Sequence, residues 1–302
     1  MTPTLYPITR KNSDFFSHGV RCSGWLYLPQ GGVKPPIVVM GPFLGAEKTF
    51  KLPDYAERFA QQGLAVFLFD YRNFGASDGE PRNLINPWRH LQDWRAALIH
   101  VRSLPEIDTT RLALWGSSLA GGHVLKIAAE EAQVTAIVSQ VPAVDGLASA
   151  MLKDWRYLSK AITAGLRDII SSLFLGKPYW IPIVASPENF AILNTAECES
   201  GYTALVDKSS AWQNKAPARF CLALPFYRPI RAAQRIKCPT LILLAEADSL
   251  IPAKAVEKTA QKIANATLVR LPYDHFTPYM EEHFEENVGI MSDFLIANLL
   301  KQ

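Results

Sequence analysis

Short, unbroken apolar runs alternate along this chain with longer segments whose apolar residues recur every three to four positions. Ile37-Val-Val-Met40, Leu64 to Phe69, Leu112 to Trp115 and Ala136-Ile-Val-Ser139 are the runs in the first half. Their lack of alternation predicts strands covered on both faces, as in a parallel sheet. Between them, Lys48 to Gln62 and Trp88 to Leu104 predict helices, and a third follows Ser118. In the second of these, Trp88, Leu91, Trp94, Leu98 and Val101 fall at helical spacing and are expected in the core rather than against a cofactor. Ahead of the runs, Asp14 to Leu28 alternates and ends at Pro29-Gln-Gly-Gly32, which predicts a strand pair with a turn.

The rhythm breaks after Val144. From about Gly146 to Arg235 helical stretches mix with irregular ones, and prolines stand at 178, 182, 187, 217, 225 and 229. Alternation resumes with a strand at Pro239 to Leu244, a helix at Ala253 to Ile263, a strand at Thr267 to Leu271 and a last helix from about Met280 to Leu300. The expected fold class is therefore α/β: a mostly parallel central sheet with helices on both faces, built from residues 1–145 and 236–302. Residues 146–235 are expected to form an inserted, mainly helical cap. The aromatics of that block (Trp155, Tyr157, Phe174, Tyr179, Trp180, Phe190, Tyr202, Trp212, Phe226 and Tyr227) have two readings. They form the cap's own core, or some of them line an apolar substrate pocket.

Composition narrows the function classes. With 302 residues, 49% hydrophobic and 20% charged, the chain reads as a folded globular protein, and a formal charge of +3 is too weak to argue for nucleic acid or an anionic membrane surface. No apolar run is long enough to span a bilayer, and the start, Met1-Thr-Pro-Thr-Leu-Tyr-Pro, lacks the pattern of a signal peptide. Cys22, Cys198, Cys221 and Cys238 are scattered, which argues against a disulfide framework or a zinc site; His275 and His283 are too loosely spaced for a metal pair. A cytoplasmic setting, with no cofactor and no metal, is the expectation. A homo-oligomer is left open.

The candidate chemistry begins at Leu112-Ala-Leu-Trp-Gly-Ser-Ser-Leu-Ala-Gly-Gly122, an apolar strand running into serines flanked by small residues. This is the form of a nucleophile elbow, a turn so sharp that the positions two before and two after the nucleophile must lack bulk. Ser117 would put Trp115 and Leu119 there; Ser118 puts Gly116 and Ala120 there and is the candidate nucleophile. Ala120 stands where glycine is usual, and Gly121 and Gly122 are expected to absorb its methyl. The bland reading is close packing of a strand on a helix.

A serine hydroxyl needs an adjacent base, and the base an orienting group. His275 and Asp248 both follow predicted strands and supply them. Asp248 could instead be a turn or helix-capping residue and His275 a plain loop histidine, and Glu246 and Asp274 are rival acids. The order Ser118, Asp248, His275 is nevertheless one this elbow uses. For the oxyanion, the first donor is expected to be the backbone N–H of Leu119. The second should come from Gly41-Pro-Phe-Leu-Gly45, where Pro42 has no N–H, Leu44 is preferred and Phe43 is the fallback.

On these residues the chain resembles the α/β-hydrolases, close to their serine esterase and dienelactone-hydrolase-like branch. Asp70-Tyr-Arg-Asn-Phe-Gly-Ala-Ser-Asp-Gly79 is similar to the family's Asp-x-Arg-Gly-x-Gly-x-Ser turn, with Asn73 in place of a glycine; asparagine is the next best residue for a left-handed backbone. The resemblance implies hydrolysis of an ester or related acyl bond through an acyl-serine intermediate, on a small, partly apolar acyl substrate. Pro42 and Phe43 stand where the family has His-Gly, so the acyl pocket or the hole departs from the pattern. A serine at the elbow separates the chain from branches that use aspartate or cysteine. An acyltransferase or thioesterase on the same scaffold is the alternative. A basic cap would suit a carrier or coenzyme donor, and Met151 to Arg235 holds 11 Lys+Arg against 6 Asp+Glu, a difference of +5. A non-catalytic binding module is the third reading, and it would be expected to lose a member of the triad.

Overall fold

The computed structural model describes residues 5–31 and 33–300, so Met1 to Thr4 of the chain start and Gly32 of the expected turn lie outside the described residues. Eight strands form the central sheet: β1 (Ile8–Asn12), β2 (Gly24–Pro29), β3 (Pro36–Met40), β4 (Ala65–Phe69), β5 (Asp108–Ser117), β6 (Ala136–Gln140), β7 (Thr240–Ala245) and β8 (Ala266–Leu271). Their order is β1-β2-β4-β3-β5-β6-β7-β8. β2 runs antiparallel to both its neighbours, and every pairing from β4 to β8 is parallel. Every residue of β3, β4, β6 and β7 is buried. Successive side chains point to opposite faces, so both faces of the sheet centre are covered. The covering helices are α1 (Leu52–Gln61), α2 (Pro87–Arg102), α3 (Leu119–Ala128), α8 (Ala253–Gln261) and α9 (Glu281–Leu299).

The segment between β6 and β7 adds no strand to this sheet. It holds α4 (Gly146–Ala150), α5 (Trp155–Leu175), α6 (Cys198–Leu205) and α7 (Phe220–Ala223), with a two-residue pairing of Trp180–Ile181 and Ala216–Pro217. Among the described residues no helix is long and apolar enough to cross a membrane.

Three expectations need correction. The pair expected over Asp14 to Leu28 divides: Phe15–Ser17 pairs with Val20–Cys22 around His18 and Gly19, while β2 pairs with β1. β1 escapes a pattern reading because four of its five residues are exposed, which leaves no apolar run. Helix α1 starts at Leu52 rather than Lys48. Asp70 draws Lys48 out of the helix by accepting both its backbone N–H and its ammonium at 2.6 Å, and Pro53 fits only in a first turn. Trp88, expected in the core, is 45% exposed in the first turn of α2; Leu91, Trp94, Leu98 and Val101 are buried as expected.

The turn after β4 is organised by Asp70. Its carboxylate also accepts the N–H of Ala76 at 3.1 Å, and Asn73 adopts φ 76°, the left-handed backbone that its glycine-like position requires. Gly75 has φ 50°, and a Cβ there would lie 2.4 Å from Asp70 Oδ2. Lys48 and Asp70 are both 2% exposed. Removing one partner of such a pair strands the other charge. Asp70→Ala is therefore expected to lower stability by about 3–5 kcal/mol, read as a fall in the urea midpoint; a midpoint within error of the parent would refute the account.

Candidate active site

Ser118 sits between β5 and α3 with φ 54° and ψ −119°, a backbone that only a rigid setting maintains for a non-glycine residue. The setting is visible in its bonds. The Ser118 N–H donates to the Gln140 carbonyl at 2.9 Å, and its own carbonyl accepts from Ala143 at 2.9 Å and Gly122 at 3.2 Å. A Cβ on Gly116 would lie 2.3 Å from the Ala120 carbonyl oxygen, so the small residue two before the serine is demanded by backbone contact. Gly121 and Gly122 serve a different purpose from the one expected. Cβ atoms there would meet Pro142 at 3.0 Å and the Ala143 carbonyl at 2.4 Å, so these glycines seat α3 against the chain leaving β6.

The structure brings Ser118, His275 and Asp248 together at the carboxyl ends of β5, β8 and β7, the end of a parallel sheet where sites form. His275 Nε2 is 3.0 Å from Ser118 Oγ, and its Nδ1 is 2.6 Å from Asp248 Oδ2. A carboxylate only accepts, so Nδ1 carries the proton and Nε2 is left to accept from the serine hydroxyl. Asp248 has a turn role as well: its Oδ1 accepts the N–H groups of Leu250 and Ile251 at 2.8 and 2.9 Å. It does not cap α8, which begins after Pro252. The rival acids are engaged elsewhere, Glu246 with Arg270 and Asp274 with Phe276 and Thr277. His275 and the Asp248 side chain are each 3% exposed, while Ser118 remains half-buried and reachable.

Leu119 and Leu44, the two expected donors, both line the cavity that holds Ser118. Leu119 opens α3, so its N–H has no intrahelical acceptor. In the loop after β3, the Phe43 carbonyl accepts from Ala46 at 3.2 Å. A trans peptide turns the Leu44 N–H the opposite way. Leu44, unlike Phe43, lines a cavity of about 340 Å³ whose floor carries Ser118, Leu119 and His275. The loop is held from the segment between β6 and β7: Tyr202 OH donates to the Leu44 carbonyl at 2.9 Å and Trp212 Nε1 to the Gly45 carbonyl at 3.0 Å.

Those bonds sort the aromatics of residues 146–235. Tyr157 and Phe226 line the cavity; Tyr202 and Trp212 stack on each other, with centroids 5.5 Å apart, and fix the donor loop. Trp155 and Phe174 are 73% and 80% exposed and do neither. A second group escaped the sequence reading. Ser117 Oγ bonds Tyr279 OH and accepts from Gln140 Nε2 at 3.1 Å, and Tyr55 OH donates to the Pro278 carbonyl at 3.3 Å. The serine rejected as nucleophile thus ties the elbow to the loop that carries His275, and no local pattern around Tyr279 announces it. On the buried side of α3, His123 Nδ1 lies 2.6 Å from Tyr227 OH, and its Nε2 lies 3.4 Å from His90, whose ring stacks on Tyr71 at 4.0 Å. Both imidazoles are buried. Burial pushes His123 down to about 3 and His90 well below the usual histidine range.

The four cysteines are unpaired thiols. Burial raises all of them, Cys22 and Cys221 to about 12 and Cys238 to about 11. Cys221 lines the cavity. Among the described residues no three His, Cys, Asp or Glu side chains gather as a metal site requires.

The family model described as serine aminopeptidase, S33, matches residues 45–189. The chain is 38% identical over 282 residues to the quorum-quenching protein AidA of Acinetobacter baumannii, covering 93% of each. It is 33% identical over 168 residues to polyketide transferase af380 of Aspergillus fumigatus, 55% of this chain and 54% of that one. Among solved structures, DcsB in complex with its substrate analogue superposes with a TM-score of 0.82 at 25% identity, covering 97% of this chain and 100% of that one.

Proposed function

From a chain that belongs to the α/β-hydrolase superfamily, we propose a serine hydrolase that cleaves a carboxylic ester or related acyl bond through an acyl-serine intermediate. The observation that carries the reading is the His275 ring, bonded on one side to Ser118 Oγ and on the other to Asp248, beneath an apolar cavity. His275 Nε2 takes the Ser118 proton as Oγ bonds to the acyl carbon. The charge that develops on the carbonyl oxygen falls to the N–H groups of Leu119 and Leu44. Asp248 holds the Nδ1 tautomer and stabilises the imidazolium, which returns its proton to the leaving oxygen as that bond breaks. Water then repeats the sequence on the acyl-serine. Residues 146–235 act as the cap, supplying cavity walls and, through Tyr202 and Trp212, the hold on the donor loop. Transfer of the acyl group to an acceptor other than water is the second reading, favoured by the similarity to a polyketide transferase.

A fluorophosphonate probe tests the nucleophile. Label is expected on Ser118 by peptide mapping, lost in Ser118→Ala and His275→Ala. Folded parent protein that takes no label would put a binding module ahead of a hydrolase.

A further inference from the structure

The cavity above Ser118 is walled by Leu158, Ile162, Leu193, Leu222 and similar side chains, and its lining includes the cationic side chain of Lys153 and no acidic one. Lys153 leads from α4 into α5. Its Nζ donates to Asn194 Oδ1 at 2.8 Å and lies 4.9 Å from the centre of the Tyr157 ring, itself a wall of the cavity. An ammonium has three donors, so these contacts leave capacity unused.

Among the described residues no carboxylate lies within salt-bridge distance of it. The nearby acids are committed elsewhere. Asp154 caps α5 by accepting the Tyr157 N–H at 2.7 Å, and Glu197 accepts the hydroxyl of Ser249. A lysine that only covered an aromatic ring would extend its charge into water. This one is held back by Asn194 on a half-buried wall, and burial lowers its pKa. Half-buried beside an apolar wall, this ammonium loses part of its hydration, and an anionic group entering the cavity would restore what it has lost.

We propose that Lys153 binds a carboxylate on the substrate, so that the site takes acyl compounds carrying a negative charge some distance along an aliphatic chain from the reacting carbonyl. The assignment rests on Ser118 and His275 marking the reacting end. A volume of about 340 Å³ is many times that of a single water, so an aliphatic chain of several carbons fits between the two ends.

The test is calorimetric binding to Ser118→Ala, which separates recognition from turnover. The ligands are the monomethyl esters of the straight-chain diacids, succinate through sebacate, each paired with the methyl ester of the fatty acid of equal length. At the one or two lengths that reach Lys153, the charged ester is expected to bind about tenfold tighter or more. Lys153→Met should abolish that preference while keeping affinity for the neutral ester, and Lys153→Arg should retain part of it. Absence of any preference across the series, or a preference that survives Lys153→Met, would overturn the proposal. Turnover of the same esters by the protein with Ser118 intact reports separately on the hydrolase reading. A charge preference without turnover would leave Lys153 in place and remove the hydrolase; turnover without preference would do the reverse.

Discussion

Ser118→Ala is expected to lower kcat on an accepted acyl ester by about 10⁴-fold or more, with little change in KM or Tm. In the proposed mechanism the oxygen removed is the atom that bonds to the acyl carbon, and its one hydrogen bond among the described residues is to His275. His275→Ala should lose a similar amount, and the double variant scarcely more, because groups that act as a unit fail together. Asp248→Asn is the more informative change. Its carbonyl oxygen can still accept from Leu250 and Ile251, so the turn survives, but the amide nitrogen then faces Nδ1 and favours the wrong tautomer. A loss of about 10⁴-fold in kcat at unchanged stability is expected. If Asp248→Asn keeps most of its activity while Glu246→Gln or Asp274→Asn does not, the orienting acid has been misassigned.

The second large effect is acid instability. His90 and His123 are almost without exposure, and burial holds both neutral in the folded protein far below the pKa near 6.5 of an unfolded histidine. Above pH 6.5 neither state binds these protons, and the native packing is at full strength. As pH falls below 6.5 the unfolded chain takes up protons that the fold refuses, so stability declines with each unit of acidification. For His123 the decline continues to about pH 3. Each imidazole contributes a slope of about 1.4 kcal/mol per pH unit, and the pair about twice that. Over two units this comes to about 5 kcal/mol, the lower end of the roughly 5–15 kcal/mol that typically separates folded from unfolded domains. Urea midpoints between pH 6.5 and 5 would show it. His90→Phe, which keeps a ring against Tyr71, should roughly halve the slope in that window. An unchanged slope would mean that these rings are not the groups refusing protons.

Much of this site could be read from residue order. The elbow was legible because its geometry excludes bulk at two fixed offsets, and the contact between Gly116 and the Ala120 carbonyl is that exclusion in atoms. The left-handed turn at Asn73 was legible for a similar reason, since few residues adopt such a backbone. What escaped was whatever depends on distant parts of the chain meeting. Nothing local at Tyr279 signals a bond to Ser117, and nothing at Tyr202 signals a bond to the Leu44 carbonyl. The start of α1 was misjudged because Asp70, twenty-two positions away, redirects Lys48. β1 was missed because an edge strand in contact with solvent needs no apolar run.

The four raised thiols bear on how the protein meets electrophiles. At neutral pH a group with a pKa near 12 is ionised about once in 10⁵ molecules, and the thiolate is the reactive form. Cys221 therefore sits in the same cavity as Ser118 with its nucleophilicity switched off by the surroundings that would welcome an acyl chain. Alkylating agents and peroxides find little thiolate to attack there, so a covalent adduct in that cavity is not expected on the sulfur. The raised thiols leave the four cysteines little of the thiolate through which cysteine oxidation proceeds.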